Sequence, residues 1–122
     1  MNTKLPLTAV VMTLNEEKNL EACLESIRNF CDEIIVVDSF SSDNTEKIAS
    51  RFTQKIYKNK WVNYSKQYLW AIENTDIKNE WVLRIDADER WTTEGFEELA
   101  RIIADDAADG VYVKMKIYFM GR

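Results

Sequence analysis

The sequence predicts an α/β fold, a mostly parallel sheet layered between helices, and three observations carry that prediction. Short apolar runs rich in Val and Ile alternate along the chain with segments whose apolar residues recur at helical spacing. The runs are near-continuous in apolar character, as expected of strands covered on both faces. Several of them end abruptly in Asp or Asn. Alternating strands and helices favour parallel pairing with right-handed crossovers. The expected architecture is a Rossmann-like three-layer α/β/α sandwich occupying residues 1–122 as one domain.

The elements follow in order. Leu7-Thr8-Ala9-Val10-Val11-Met12 reads as a first buried strand, with Pro6 tolerated near its start. Asn15 suits a helix N-cap, and Glu16 and Glu17 would then fall in the first turn, where the helix dipole favours negative charge. Leu20, Cys23, Leu24, Ile27 and Phe30 mark that helix's apolar face. Ile34-Ile35-Val36-Val37 is a second buried strand ended by Asp38, and Asp43 with Glu46 resembles a capping box for a helix carrying Ile48, Ala49 and Phe52. Lys55-Ile56-Tyr57 reads as a short strand near an edge. Residues 63–74 follow as a helix with Tyr64, Tyr68, Leu69 and Ile72 on one stripe. The run from Trp81 to Ile85 then ends in Asp86-Ala87-Asp88-Glu89. Thr93 caps a last helix with Phe96, Leu99, Ala100, Ile103 and Ala107 on its face, and 111–119 reads as a final, half-exposed strand.

Composition narrows the function. A net charge of -5 without a basic run argues against nucleic acid as partner. No apolar stretch approaches the roughly 18 residues of a spanning helix, and the N-terminus lacks a signal-peptide pattern. The expected location is the cytoplasm, with the inner face of the cell membrane compatible through peripheral attachment. There is no histidine, so any catalytic base must be another residue type. Cys23 and Cys31 lack CxxC spacing and read as small buried thiols.

The strand ends carry the chemistry. In open α/β sheets ligands sit at the C-terminal ends of the strands, and this chain puts Thr13, Asn15, Asp38, Asp86 and Asp88 there. On an extended chain Asp86 and Asp88 would point to one side. Two close carboxylates repel unless a cation lies between them, and oxygen ligands of this kind suit Mg²⁺ or Mn²⁺. Neither GxGxxG nor GxxxxGK[ST] occurs, so a Gly-rich phosphate cradle is not expected. A divalent ion is the other way to hold a diphosphate, with Asp38 accepting from a base or ribose. Of Trp61, Trp70, Trp81 and Trp91, spacing assigns most to the core. Trp91, just after the acidic cluster, is kept as a candidate for stacking on a sugar.

Val10-Val11-Met12-Thr13-Leu14-Asn15-Glu16-Glu17, Asp32-Glu33-Ile34-Ile35-Val36-Val37-Asp38-Ser39, Ser42-Asp43-Asn44-Thr45 and Trp81-Val82-Leu83-Arg84-Ile85-Asp86-Ala87-Asp88-Glu89 together resemble the family 2 glycosyltransferases of GT-A fold. Within that family the chain resembles the bacterial enzymes that add a sugar to the lipopolysaccharide core, and Tyr118-Phe119-Met120-Gly121-Arg122 resembles a segment of that subgroup. The resemblance implies inverting transfer from a nucleotide sugar, usually a UDP sugar, to a saccharide or lipid-linked saccharide, with Mg²⁺ or Mn²⁺. It places Thr13, Asn15, Glu17 and Asp38 along the nucleotide, Asp86 near the ribose or metal and Asp88 on the metal. Lys66 and Gln67 match a basic or amide position facing the nucleotide, and Phe40 stands where a Gly is common. The family's domain normally continues past Arg122, so the expected general base lies beyond it. Glu89 is the weak candidate within. The chain is then the donor-binding part, with apolar surface around 111–120 that favours self-association. A non-catalytic nucleotide-binding or interaction module, an isolated inactive fragment of such an enzyme, and a nucleotidyltransferase remain the alternatives.

Overall fold

The computed structural model describes residues 4–106. The strand expected over 111–119, with the Tyr118 to Arg122 segment, lies outside the described residues. Among the described residues four strands form one sheet: β1 (Leu5–Thr13), β2 (Cys31–Asp38), β3 (Ile56–Lys58) and β4 (Trp81–Asp86), in the spatial order β3-β2-β1-β4. All three pairings are parallel. The helices α1 (Leu20–Ile27), α2 (Thr45–Ala49), α3 (Tyr64–Asn74) and α4 (Thr93–Asp106) alternate with the strands, as expected.

β1 sits between β2 and β4, and its residues from Leu7 to Thr13 are all buried. That explains its unbroken apolar run: both faces are covered, so neither favours polar side chains. Alternation along each strand divides the core in two. Leu7, Ala9 and Val11 join Ile34, Val36, Leu83 and Ile85 under α1, α2 and α4. Val10, Met12, Ile35, Val37 and Val82 face α3 through Ala71. The three layers are α1, α2 and α4, the sheet, and α3.

Local differences from the sequence expectation have local causes. Asn15 does not cap α1; it adopts a left-handed φ of 54°, and the helix starts at Leu20. Asp43 accepts from the Thr45 N–H and hydroxyl rather than forming a capping box with Glu46, and α2 shortens to five residues. In α3 the buried positions are Gln67 and Ala71, while Leu69 and Tyr64 are about half exposed. Gln67 turns inward because its amide has partners there: it donates to the Ser39 hydroxyl (2.9 Å) and the Asn59 carbonyl, and accepts from the Asn59 amide. The cap of α4 is Thr92, whose hydroxyl accepts from the Gly95 N–H (3.0 Å), one residue before the expected Thr93. Cys23 and Cys31 are both buried and free, and burial first pushes each thiol up to about 12.

At the N-terminal pole of the sheet Glu33 is buried. Its carboxylate accepts from the Thr8 hydroxyl (2.5 Å), the Lys78 N–H (2.9 Å) and the Lys55 ammonium. Burial works against its charged form, but these donors outweigh it and hold the carboxyl below its ordinary range. A depressed folded pKa contributes stability that is present above the unfolded value, about 4.3, and is lost as pH falls through the folded one. Glu33→Gln should therefore cost about 1–3 kcal/mol at neutral pH, and the gap to wild type should narrow in urea melts below about pH 4. A gap independent of pH would contradict this account.

Phe40, in the β2–α2 connection, is 61% exposed and holds φ at 58°. A bulky residue with a Cβ is strained there by about 1–2 kcal/mol, while its exposure means little burial is lost on truncation. Phe40→Gly should stabilise the chain by roughly 0.5–1 kcal/mol after glycine's entropic cost. Phe40→Ala, which keeps the Cβ, should not. Equal effects of the two in chemical denaturation would show that the strain is absent.

Candidate active site

The C-terminal ends of β1, β2 and β4 meet at one rim, with Thr13 opposite Asp38 and Met12 opposite Asp86. These registers have a consequence for the two carboxylates. Neighbouring residues on a strand face opposite sides, and cross-strand partners face the same side. Thr13 and Asp38 therefore belong to the α1–α2 face, and Met12 and Asp86 to the α3 face.

On the α1–α2 face two loops are stitched together. Asp38 is 1% exposed; its Oδ1 accepts from the Thr13 hydroxyl and the Ser41 hydroxyl, both at 2.6 Å, and its Oδ2 from the Ser41 N–H at 2.8 Å. The Ser41 hydroxyl in turn accepts from the Asn15 N–H (2.8 Å), and the Asn15 amide oxygen accepts from the Ser42 N–H (2.8 Å). Glu16 N–H donates to the Thr45 hydroxyl (2.8 Å), and Glu17 accepts from the Asn44 N–H (3.1 Å). The residues expected along a nucleotide thus include Thr13, Asn15, Glu17 and Asp38 in one seam, with Asp38 its buried centre. Thr45, the last residue of the Ser42-Asp43-Asn44-Thr45 motif, and Ser41 complete it; Ser41 was not singled out by the sequence, and only the polar run between Asp38 and Glu46 hinted at it.

On the α3 face lies the acidic turn. β4 ends at Asp86, and the chain then turns, the Glu89 N–H donating to the Asp86 carbonyl at 2.9 Å. Asp86 and Asp88 are therefore not successive same-side residues of an extended strand, as the D-x-D spacing suggested; Asp86 is half-buried and Asp88, in the turn, is exposed. Glu89 is buried, and its carboxylate accepts from the Asp86 N–H at 2.8 Å, holding the turn closed. Beneath it the Cys23 thiol approaches the Asp86 carbonyl at 3.7 Å. Trp91 is 5% exposed and packs on Phe96 with ring centroids 4.8 Å apart, so it is core and offers no sugar platform.

A cleft of about 250 Å³ opens beside this turn, lined by Met12, Thr13, Leu14, Glu16, Trp61 and Tyr64. Tyr64 reports what surrounds it: partial burial raises its pKa, and the Asp86, Asp88 and Glu16 carboxylates raise it further against Arg84. The three acids and the cleft are one electrostatic neighbourhood. Lys66, in the first turn of α3, is exposed, and its N–H donates to the Asn63 cap. Of the Lys66–Gln67 pair, Gln67 is the one built into the fold.

The oxygen donors suit a hard divalent ion. Among the described residues no group of three or more His, Cys, Asp or Glu is gathered for a metal.

The chain is 38% identical over 117 residues to an uncharacterized glycosyltransferase of Rickettsia bellii, covering 95% of this chain and 39% of that protein. It is 34% identical over 127 residues to the lipopolysaccharide core biosynthesis glycosyltransferase LpsC of Rhizobium meliloti, covering 99% of this chain and 46% of that one. The chain thus spans less than half the length of these curated relatives. Among solved structures, S. aureus TarS 1–349 in complex with UDP matches with a TM-score of 0.66 at 24% identity, over 84% of this chain and 33% of that one. Glucosyl-3-phosphoglycerate synthase from Mycobacterium tuberculosis in complex with Mg²⁺ and UDP matches with a TM-score of 0.55 at 25% identity, over 69% and 34%. Residues 8–122 match the sequence profile of Glycosyl transferase family 2, and the chain belongs to that family.

Proposed function

We propose that this chain carries the donor-binding part of an inverting glycosyltransferase that takes a sugar from a nucleotide diphosphate sugar, UDP-linked, and passes it to a saccharide or lipid-linked saccharide. The observation that supports it most is the acidic turn of Asp86 and Asp88 beside a cleft at the C-terminal rim, within a family 2 chain. The solved relative that holds Mg²⁺ and UDP together supports the donor and ion classes, and the relative named for lipopolysaccharide core biosynthesis supports the acceptor class.

In this reading Asp88, exposed on the turn, is the first protein ligand of Mg²⁺ or Mn²⁺, and Asp86 is its second ligand or a ribose contact. The ion, when bound with the diphosphate, offsets the negative charge that develops on the leaving group. Glu89 keeps the turn in shape by bonding the Asp86 N–H, and so serves as a positioning residue rather than the base. Thr13, Asn15, Glu17 and Asp38 fix the β1–α1 loop against the β2–α2 loop, which sets the floor on which the nucleotide lies. Lys66 stands at the α3 end as a cation for the phosphates. The base that removes the acceptor proton is assigned outside residues 1–122.

UDP with Mn²⁺ at about a hundred times its dissociation constant should add roughly 2.7 kcal/mol, a rise on the order of ten degrees in melting temperature. Asp88→Asn, on an exposed turn, should keep the unliganded melting temperature and lose the metal-dependent part of the shift. An unchanged shift in that variant would overturn the metal assignment. Binding without donor hydrolysis or transfer would instead favour a nucleotide-binding module.

A further inference from the structure

A second groove lies outside the rim, on the outer surface of the α1–α2 layer. It measures about 690 Å³ and runs between the β1–α1 loop, at Glu17 and Lys18, and the outward side of α2, at Asn44, Lys47, Ile48 and Arg51. Positions 44, 47, 48 and 51 recur at helical spacing, so one face of α2 and its flanking turns forms that wall. Glu17 and Asn44 join at one end, the Asn44 N–H donating to the Glu17 carboxylate at 3.1 Å. That contact belongs to the seam, and the groove begins where the seam stops. Thr13, Asp38, Asp86 and Asp88 do not line it.

The groove gathers positive charge in a chain whose net charge is -5. Lys18, Lys47 and Arg51 make no basic run in the sequence; the fold brings them to one place. Among the described residues neither Lys18 nor Lys47 forms an ion pair. Arg51 meets Glu21 only at 3.8 Å, with both side chains 57% exposed, and so open a pair contributes little and yields readily to a better partner. The nearby carboxylates are otherwise engaged: Glu17 by the Asn44 N–H, and Glu46 by Lys58 at 2.8 Å. Cations of this kind call for phosphate oxygens. The shape of the groove says how the phosphates arrive. A free small ligand is held by burying most of its surface, yet every wall residue except Ile48 is exposed. Long basic side chains on one open face suit phosphates presented side by side by a lipid surface, which they reach without enclosing.

We propose that this groove is a docking surface for anionic membrane lipids, with Lys18, Lys47 and Arg51 engaging the headgroup phosphates. It goes beyond the donor-site reading and does not depend on it. Because one end of the groove adjoins the seam, docking there sets the rim beside the lipid surface rather than away from it. The excess of carboxylates elsewhere on the chain opposes this only weakly, since exposed charges are screened within roughly 8 Å at physiological salt.

Co-sedimentation of the full chain with vesicles tests it, comparing phosphatidylcholine alone with an equal mixture of phosphatidylcholine and phosphatidylglycerol. The chain should bind the mixture and not phosphatidylcholine, and added salt should weaken the binding. Lys47→Ala and Arg51→Ala should each weaken it about fivefold. Lys78→Ala, at the opposite pole of the sheet beside Glu33, should leave it unchanged. Thermal melts of the free variants check that these exposed substitutions leave the fold intact. Equal binding to both vesicle types, or binding to neither, would overturn the proposal. A loss in Lys78→Ala as large as in the groove variants would also overturn it, since the attraction would then belong to no particular face. Release from the vesicles by millimolar glycerol phosphate would reveal a site for soluble phosphate esters and overturn the lipid assignment. None of these outcomes alters the melting shift with UDP and Mn²⁺, so this proposal and the donor-site reading fail separately.

Discussion

Everything at the rim depends on how β1 pairs. It is hydrogen-bonded to β2 on one side and β4 on the other, and it is buried from Leu7 to Thr13. Sliding one register by a single residue would exchange its core faces, moving Val10 and Met12 from beneath α3 to beneath α1. The registers are therefore tightly specified by packing. They place Thr13 against Asp38 and Met12 against Asp86. Strand alternation then sends the two carboxylates to opposite faces of the sheet. One becomes the buried centre of a loop seam; the other begins an open acidic turn.

The seam and the turn divide the labour of the site. The seam is a set of charge-assisted and neutral hydrogen bonds between two loops, organised on a buried carboxylate whose oxygens are occupied by Thr13 and Ser41. Both loops hold a non-glycine residue in the left-handed region, Asn15 and Phe40. Asn tolerates that conformation better than most residues, and Asn15 is also anchored across the seam, its amide oxygen accepting from the Ser42 N–H. Phe has no such compensation, so its strain is held in place by the bonds that flank it at Asp38 and Ser41. The acidic turn is supported differently, by Glu89 from within and Cys23 from below. It presents Asp88 to solvent beside the aromatic cleft. A rigid floor next to an open acidic edge is an arrangement suited to a flat, anionic ligand that brings its own cation.

Much of this was legible in the sequence, and the parts that were not share a cause. The order of elements followed from apolar periodicity because core packing imposes it directly: the helical spacing of Leu20, Cys23, Leu24 and Ile27 is the face that is buried. The rim residues followed from the topology, since strand ends in a parallel sheet gather at one pole. What periodicity does not encode is which polar residue has a partner. Gln67 reads as a surface residue until Ser39 and Asn59 are seen around it. Leu69 reads as core until that inward amide shows α3 turned another way. Asp86 and Asp88 looked equivalent because the strand was assumed to continue; it ends at Asp86, where the Glu89 N–H captures the carbonyl. Trp91 is core and Tyr64 half exposed, against what their positions suggested, because the long-range contacts of an aromatic are not written in its spacing. Phe40 holds a left-handed φ that glycine adopts at less cost, a conformation its residue type does not announce.

The central claim is that the ligand lies on the α3 side of the rim while the Asp38 seam remains a closed support. Hydrogen–deuterium exchange of the full chain, with and without UDP and Mn²⁺, measures this most directly. The account predicts ligand-induced protection concentrated in 61–66 and 86–89, with 39–45 little changed because the N–H groups of Ser39, Ser42 and Asn44 are already bonded across the seam and those of Ser41 and Thr45 within their own loop. Protection concentrated in 39–45 instead would mean that the seam opens and Asp38 meets the nucleotide itself, contradicting the account.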